Sequence, residues 1–101
     1  MGRDIRVESK HFRYCGSKSS DLLMLFDYFF MEFPEYQPED YDYSWCDTVL
    51  SRYEMKKVLE FAKKDVKARS TLYRDGNELI EKLNNIYIRM MPDDVVEVVI
   101  V

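Results

Sequence analysis

The chain closes on Val95-Val96-Glu97-Val98-Val99-Ile100-Val101, a nearly continuous β-branched run. Such side chains are stiff about χ1 and pack well on a pleated surface, so the segment predicts a strand, and one this apolar needs cover on both faces or early pairing. The chain must therefore build a sheet around its own C-terminus or leave an edge that invites another chain. Its natural partner is the other end. Residues 4–14 alternate as a strand does, with Ile5 and Val7 on one face, although Phe12 and Tyr14 fall on the opposite parity. A bulge or tight turn near Ser9 and Lys10 reconciles the two halves.

Between these ends the apolar period changes from two to 3.6. Leu22, Leu25, Phe26, Phe29, Phe30 and Phe33 form one helical stripe that starts after Ser20 and stops at Pro34. Residues 34–44 hold two prolines, four acids and three tyrosines with no helical period, which reads as an extended or irregular loop. Trp45 to Leu50 fits a short strand or an early helical turn, and the strand is preferred. Ser51 with Glu54 makes a capping box for a second helix running to about Tyr73, with Ser70 and Thr71 as its weak point. Asp75 with Glu78 caps a third, whose face is Leu79, Ile80, Leu83, Ile86, Tyr87 and Met90 before Pro92. The expected architecture is a single α+β domain over residues 1–101, with about three helices on a small two- to three-stranded sheet that includes both terminal strands. At 101 residues such a chain buries enough surface for one core without disulfide or metal staples.

Charge is segregated along this scaffold. Residues 21–48 carry eight acids and no base, whereas residues 49–74 carry eight bases against three acids; the net charge of −4 conceals both. Nine of the fifteen aromatic residues also lie within 21–48, so carboxylates alternate there with large amphipathic rings of the kind that anchor interfaces. Glu35, Tyr36, Glu39, Asp40, Tyr41, Asp42, Tyr43, Trp45 and Asp47 are the candidate partner-binding residues. The competing reading is a solvated acidic loop whose rings fold back on the core. On the basic side, Lys56, Lys63, Lys67 and Arg74 approximate one helical face, and Glu60–Lys64 and Asp65–Arg69 are spaced as ordinary surface pairs. Direct nucleic-acid binding by that face is disfavoured by the acidic total. The acidic segment could also meet the basic face within one molecule or across a homodimer.

Other chemistry is weakly signalled. A strand, then Gly16-Ser17-Lys18-Ser19-Ser20, then a helix follows the outline of an anion-binding loop. Gly16 and Lys18 are not adjacent as a phosphate-binding loop requires, and Asp21 would repel an anion at the helix start. Cys15 reads as a buried strand-end thiol. His11, Cys15, Cys46 and Asp47 lack metal-ligand spacing, so no metal, cofactor or catalytic residue is assigned. Two cysteines in a domain able to build a core point to a reducing cytoplasm, and the charged N-terminus lacks the form of a secretory signal. The uncharged run Leu22–Phe26 stops at Asp27, far below a membrane span. The sequence therefore predicts a cytoplasmic, non-enzymatic interaction module that docks an acidic-aromatic surface on a basic protein, including nucleic-acid-binding ones, as inhibitor, immunity or nucleic-acid-mimic proteins do. The alternative is a small-ligand or anion-binding domain using residues 16–20.

Overall fold

The computed structural model describes residues 4–16, 20–38 and 46–101. Strands β1 (Ile5–Glu8) and β2 (Arg13–Gly16) form a hairpin and lead into helix α1 (Asp21–Glu32) and a 3₁₀ turn (Pro34–Tyr36). Strand β3 (Cys46–Ser51), helices α2 (Arg52–Ala68) and α3 (Gly76–Ile88), and strand β4 (Val95–Ile100) complete the fold. The sheet is antiparallel throughout, in the order β2-β1-β4-β3. The α+β class holds, with four strands where two to three were expected. The parity break in the N-terminal segment is a hairpin turn between two paired strands, so one expected strand is two.

The terminal strands pair as expected, with Ile5 opposite Ile100 and Val7 opposite Val98. Because β4 also pairs with β3 on its other side, the valine run is central and offers no edge to another chain. Ile5, Val7, Leu50, Val96, Val98 and Ile100 join the helix side chains in one core cluster. Alternation sends Arg6, Glu8, Arg13, Cys15, Asp47, Val49, Val95, Glu97 and Val99 to the opposite face, away from the described helices. Of that set only Val99 is buried, and it lies beside Arg6 in the register.

Helix boundaries follow local chemistry. The Ser20 hydroxyl accepts the Leu23 N–H, and α1 ends one residue before the position ahead of Pro34. At α2 both halves of the capping box form: Glu54 N–H donates to Ser51 Oγ at 3.1 Å and Ser51 N–H to Glu54 Oε1 at 2.9 Å. That helix stops at Ala68, not near Tyr73. Tyr73 donates its hydroxyl to Asp65, a contact that a helix continued to Tyr73 would have placed out of reach by setting the two residues about 12 Å apart along its axis. Asp65 is consequently buried rather than part of a surface pair, although Arg69 does bind it, and Arg74 lies beyond α2 instead of on its basic face.

Gly76 opens α3 directly against Val66 of α2. A Cβ built there would lie 2.3 Å from Cγ1 of Val66 and 3.3 Å from its Cβ. Gly76→Ala is therefore expected to lower stability by about 2 kcal/mol through overpacking, against a helix-propensity gain of about 1 kcal/mol. Urea unfolding of Gly76→Ala and of the Gly76→Ala/Val66→Ala pair measures this, and the double variant should recover part of the loss. A net gain in stability for Gly76→Ala alone would show that the helices can separate freely.

Candidate functional site

Tyr36 and Glu35 begin the acidic-aromatic segment on the 3₁₀ turn that follows α1. The Tyr36 ring stacks on Phe29 with centroids 6.0 Å apart and planes 11° from parallel, and its hydroxyl accepts a 3.1 Å hydrogen bond from Lys57 Nζ. That bond raises the Lys57 ammonium above the usual lysine range, with burial opposing it. Phe29 is fully buried, so the root of the segment is tied to the core of the domain. Glu35 beside it points to solvent.

At the far end Asp47 lies exposed on the uncovered face of β3. Among the described residues no ion pair engages Glu32, Glu35 or Asp47. The other acids of α1 are committed to the fold. Asp21 accepts the Arg74 and Asp75 N–H groups at 2.8 Å, clamping the start of α1 to the turn before α3, and Asp27 also has a partner. Thus three of the nine candidate partner-binding residues, Glu35, Tyr36 and Asp47, are placed by the structure, while Glu39, Asp40, Tyr41, Asp42, Tyr43 and Trp45 lie outside the described residues. Tyr36 folds back on the core; the two carboxylates do not.

The basic residues divide similarly. Arg52 stacks over Tyr87 at 4.6 Å while its Nε donates to the Met90 carbonyl, and Arg69 lies 4.1 Å over Tyr28. Lys57 is held near Tyr36 and Tyr53. These cations are spent on packing, by cation–π contacts and backbone capping that the sequence spacing does not show. Lys56, Lys63 and Lys67 remain exposed on α2.

Two hollows flank these features. One, of about 370 Å³, lies between the end of α1 and α2, with Phe33 and Phe61 as apolar lining and Glu32, Lys57, Glu60 and Lys64 as polar lining. The other, about 510 Å³, opens at the end of the sheet beside Arg6, Cys15, Val99 and Val101. Arg6 Nε is buried there without a hydrogen-bond partner among the described residues, and the guanidinium reaches Glu97 at 3.7 Å. Cys15 is a free, exposed thiol rather than a buried one, because β2 is an edge strand and Cys15 faces away from the helices.

No protein-family model, curated protein or solved structure matches this chain.

The strand-to-helix loop gives the anion reading little help. Ser17, Lys18 and Ser19 lie outside the described residues, and Gly16 belongs to β2. Ser20 already caps α1, and the Asp21 carboxylate sits at the same terminus, where it opposes an incoming anion. Among the described residues no group of three or more potential metal ligands comes together, and no helix is long and apolar enough to cross a membrane.

Proposed function

We propose that this chain is a cytoplasmic, non-enzymatic interaction module that docks its acidic-aromatic segment, residues 35–47, on a basic site of a partner protein. The observation that carries the reading is the asymmetric use of charge in the fold. Asp21 and Asp27 have partners within the domain, whereas Glu35 and Asp47, at the two ends of the segment, face solvent with no ion pair among the described residues. Glu39, Asp40 and Asp42 add three further carboxylates between them in the sequence. A root locked by Tyr36, Phe29 and Lys57 limits the ordering entropy that binding must overcome. An acidic surface of this kind sets partner choice and encounter rate, the behaviour of inhibitor, immunity and nucleic-acid-mimic proteins. A free, exposed Cys15 suits a reducing compartment.

The test is affinity capture from host lysate with wild type and with a folded Asp40→Asn/Asp42→Asn/Asp47→Asn variant, followed by titration of the purified captured protein. A basic partner bound by wild type, and at least about tenfold more weakly by the variant or at moderate salt, is the expected result. Equal affinity for both proteins would place the interface elsewhere.

A further inference from the structure

The ladder geometry identifies which backbone groups of β3 face outward. Asp4 and Val101 exchange both of their hydrogen bonds at 2.8 Å, and bonded and non-bonded pairs alternate along an antiparallel ladder. Arg6–Val99 and Glu8–Glu97 are then the next bonded pairs between β1 and β4. Val96, Val98 and Ile100 consequently direct their backbone groups toward β3, where they meet Leu50, Thr48 and Cys46. The N–H and C=O groups of Asp47 and Val49 point the other way, to the free edge of the sheet. Ser51 agrees with this parity, since its N–H leaves the ladder for Glu54.

Among the described residues that edge has little protection beyond the charge of Asp47. It is six residues long, contains no proline, lysine or arginine, and exposes Val49, which is 55% accessible. The opposite edge, β2, has four residues and carries the Arg13–Glu8 ion pair at 2.5 Å. No described residue pairs with the outer edge of β3.

We propose that two copies of this chain associate edge to edge through β3, antiparallel and centred on Thr48, to form one eight-stranded sheet. Side chains keep to their own face of a continuous sheet only if odd positions meet odd positions. Setting Asp47 opposite Val49 of the second copy meets that condition and satisfies all four outward groups of each strand. Shifting the centre to Val49 would instead require the Ser51 N–H, which Glu54 already holds. Charge selects the same antiparallel arrangement. Exposed Asp47 precedes Thr48 and exposed Lys56 follows it, so a two-fold axis turns the acidic end of each β3 strand toward the basic end of the other. The inference is separate from the docking function above, because it uses the backbone of β3 and a monomer could still dock its acidic segment.

Sedimentation velocity over a concentration series, with amide hydrogen exchange at its two ends, tests the arrangement. A monomer–dimer equilibrium is expected, with exchange at Asp47 and Val49 slowing as dimer forms while Thr48 and Leu50 stay protected throughout. Val49→Lys places a cation opposite Asp47 of the second copy and should tighten the dimer about fivefold; Val49→Asp should weaken it by a similar factor. Both substitutions are on an exposed position, and melting curves verify that each variant is folded. Monomer alone at the highest concentration, a dimer that leaves Asp47 and Val49 amides unprotected, or equal affinities for the two charge variants would each overturn the proposal.

Discussion

Phe29→Ala should lower the free energy of unfolding by about 4 kcal/mol, a large share of the 5–15 kcal/mol of a typical domain. Phe29 has no accessible surface and meets Phe26, Phe30, Phe33, Tyr36 and Phe61 at centroid distances of 5.1–6.3 Å. Truncation removes the transfer energy of the ring and leaves a cavity that two helices and the 3₁₀ turn cannot close together. The same ring supports Tyr36, so the effect extends to the acidic segment. Phe29→Leu keeps most of the volume but not the stacking, and should cost less than about 2 kcal/mol while releasing Tyr36. Urea unfolding gives the stability, and the Tyr36 ring resonances report the stacking. A loss below about 1 kcal/mol for Phe29→Ala would mean that the aromatic cluster is loosely packed.

Asp65→Ala is expected to cost about 3 kcal/mol. Asp65 is 4% exposed, accepts hydrogen bonds from the Tyr73 hydroxyl and the Arg69 guanidinium, and so joins α2 to the turn that leads into α3. Removing the carboxylate strands a buried phenol and leaves a half-exposed guanidinium over Tyr28. Burial pushes the Tyr73 phenol up to about 12, Arg69 pulling it partly back. The folded phenol thus ionises later than the unfolded one near 10, so its contribution is complete below pH 10 and is lost as pH rises through about 12. Tyr73→Phe should flatten the decline in stability over that interval by about 2–3 kcal/mol. Thermal unfolding of wild type, Asp65→Ala and Tyr73→Phe across pH 8–12 measures both effects. An unchanged alkaline slope in Tyr73→Phe would assign the titration to another group.

What could be read from the chain was what depends on neighbours in sequence. Ser20, Ser51 and Asp75 start helices because their side-chain oxygens accept N–H groups three residues on, and those contacts need no tertiary partner. The stripe Leu22–Phe30 identifies a core surface for the same reason, since period alone sets which side chains share a face. The unbroken β4 run announced a strand but not which face the helices cover, and Val95 is exposed. The parity break between Val7 and Tyr14 likewise announced a bulge or a tight turn near Ser9 and Lys10, although not which of the two, nor that both sides of it would be strands in one sheet. At the candidate site, the acidic run and its aromatics were legible, and Glu35 and Asp47 are exposed, as both the docking reading and a solvated acidic loop require.

Features that join distant parts of the chain were not legible. Asp65 and Arg69 have the spacing of a solvated pair, and only the return of Tyr73 over α2 makes that carboxylate a buried anchor. Tyr36 could have faced a partner until Phe29 and Lys57, both far from it in sequence or on another element, held its ring and hydroxyl. Cys15 is exposed because β1, and not β2, occupies the inner position beside β4. The same strand order places β3, the longer of the two outer strands, with no described residue paired to its outer side. Local periodicity sets the faces of strands and helices, but strand order and helix docking arise from long-range burial, where many residues compete for a single interior.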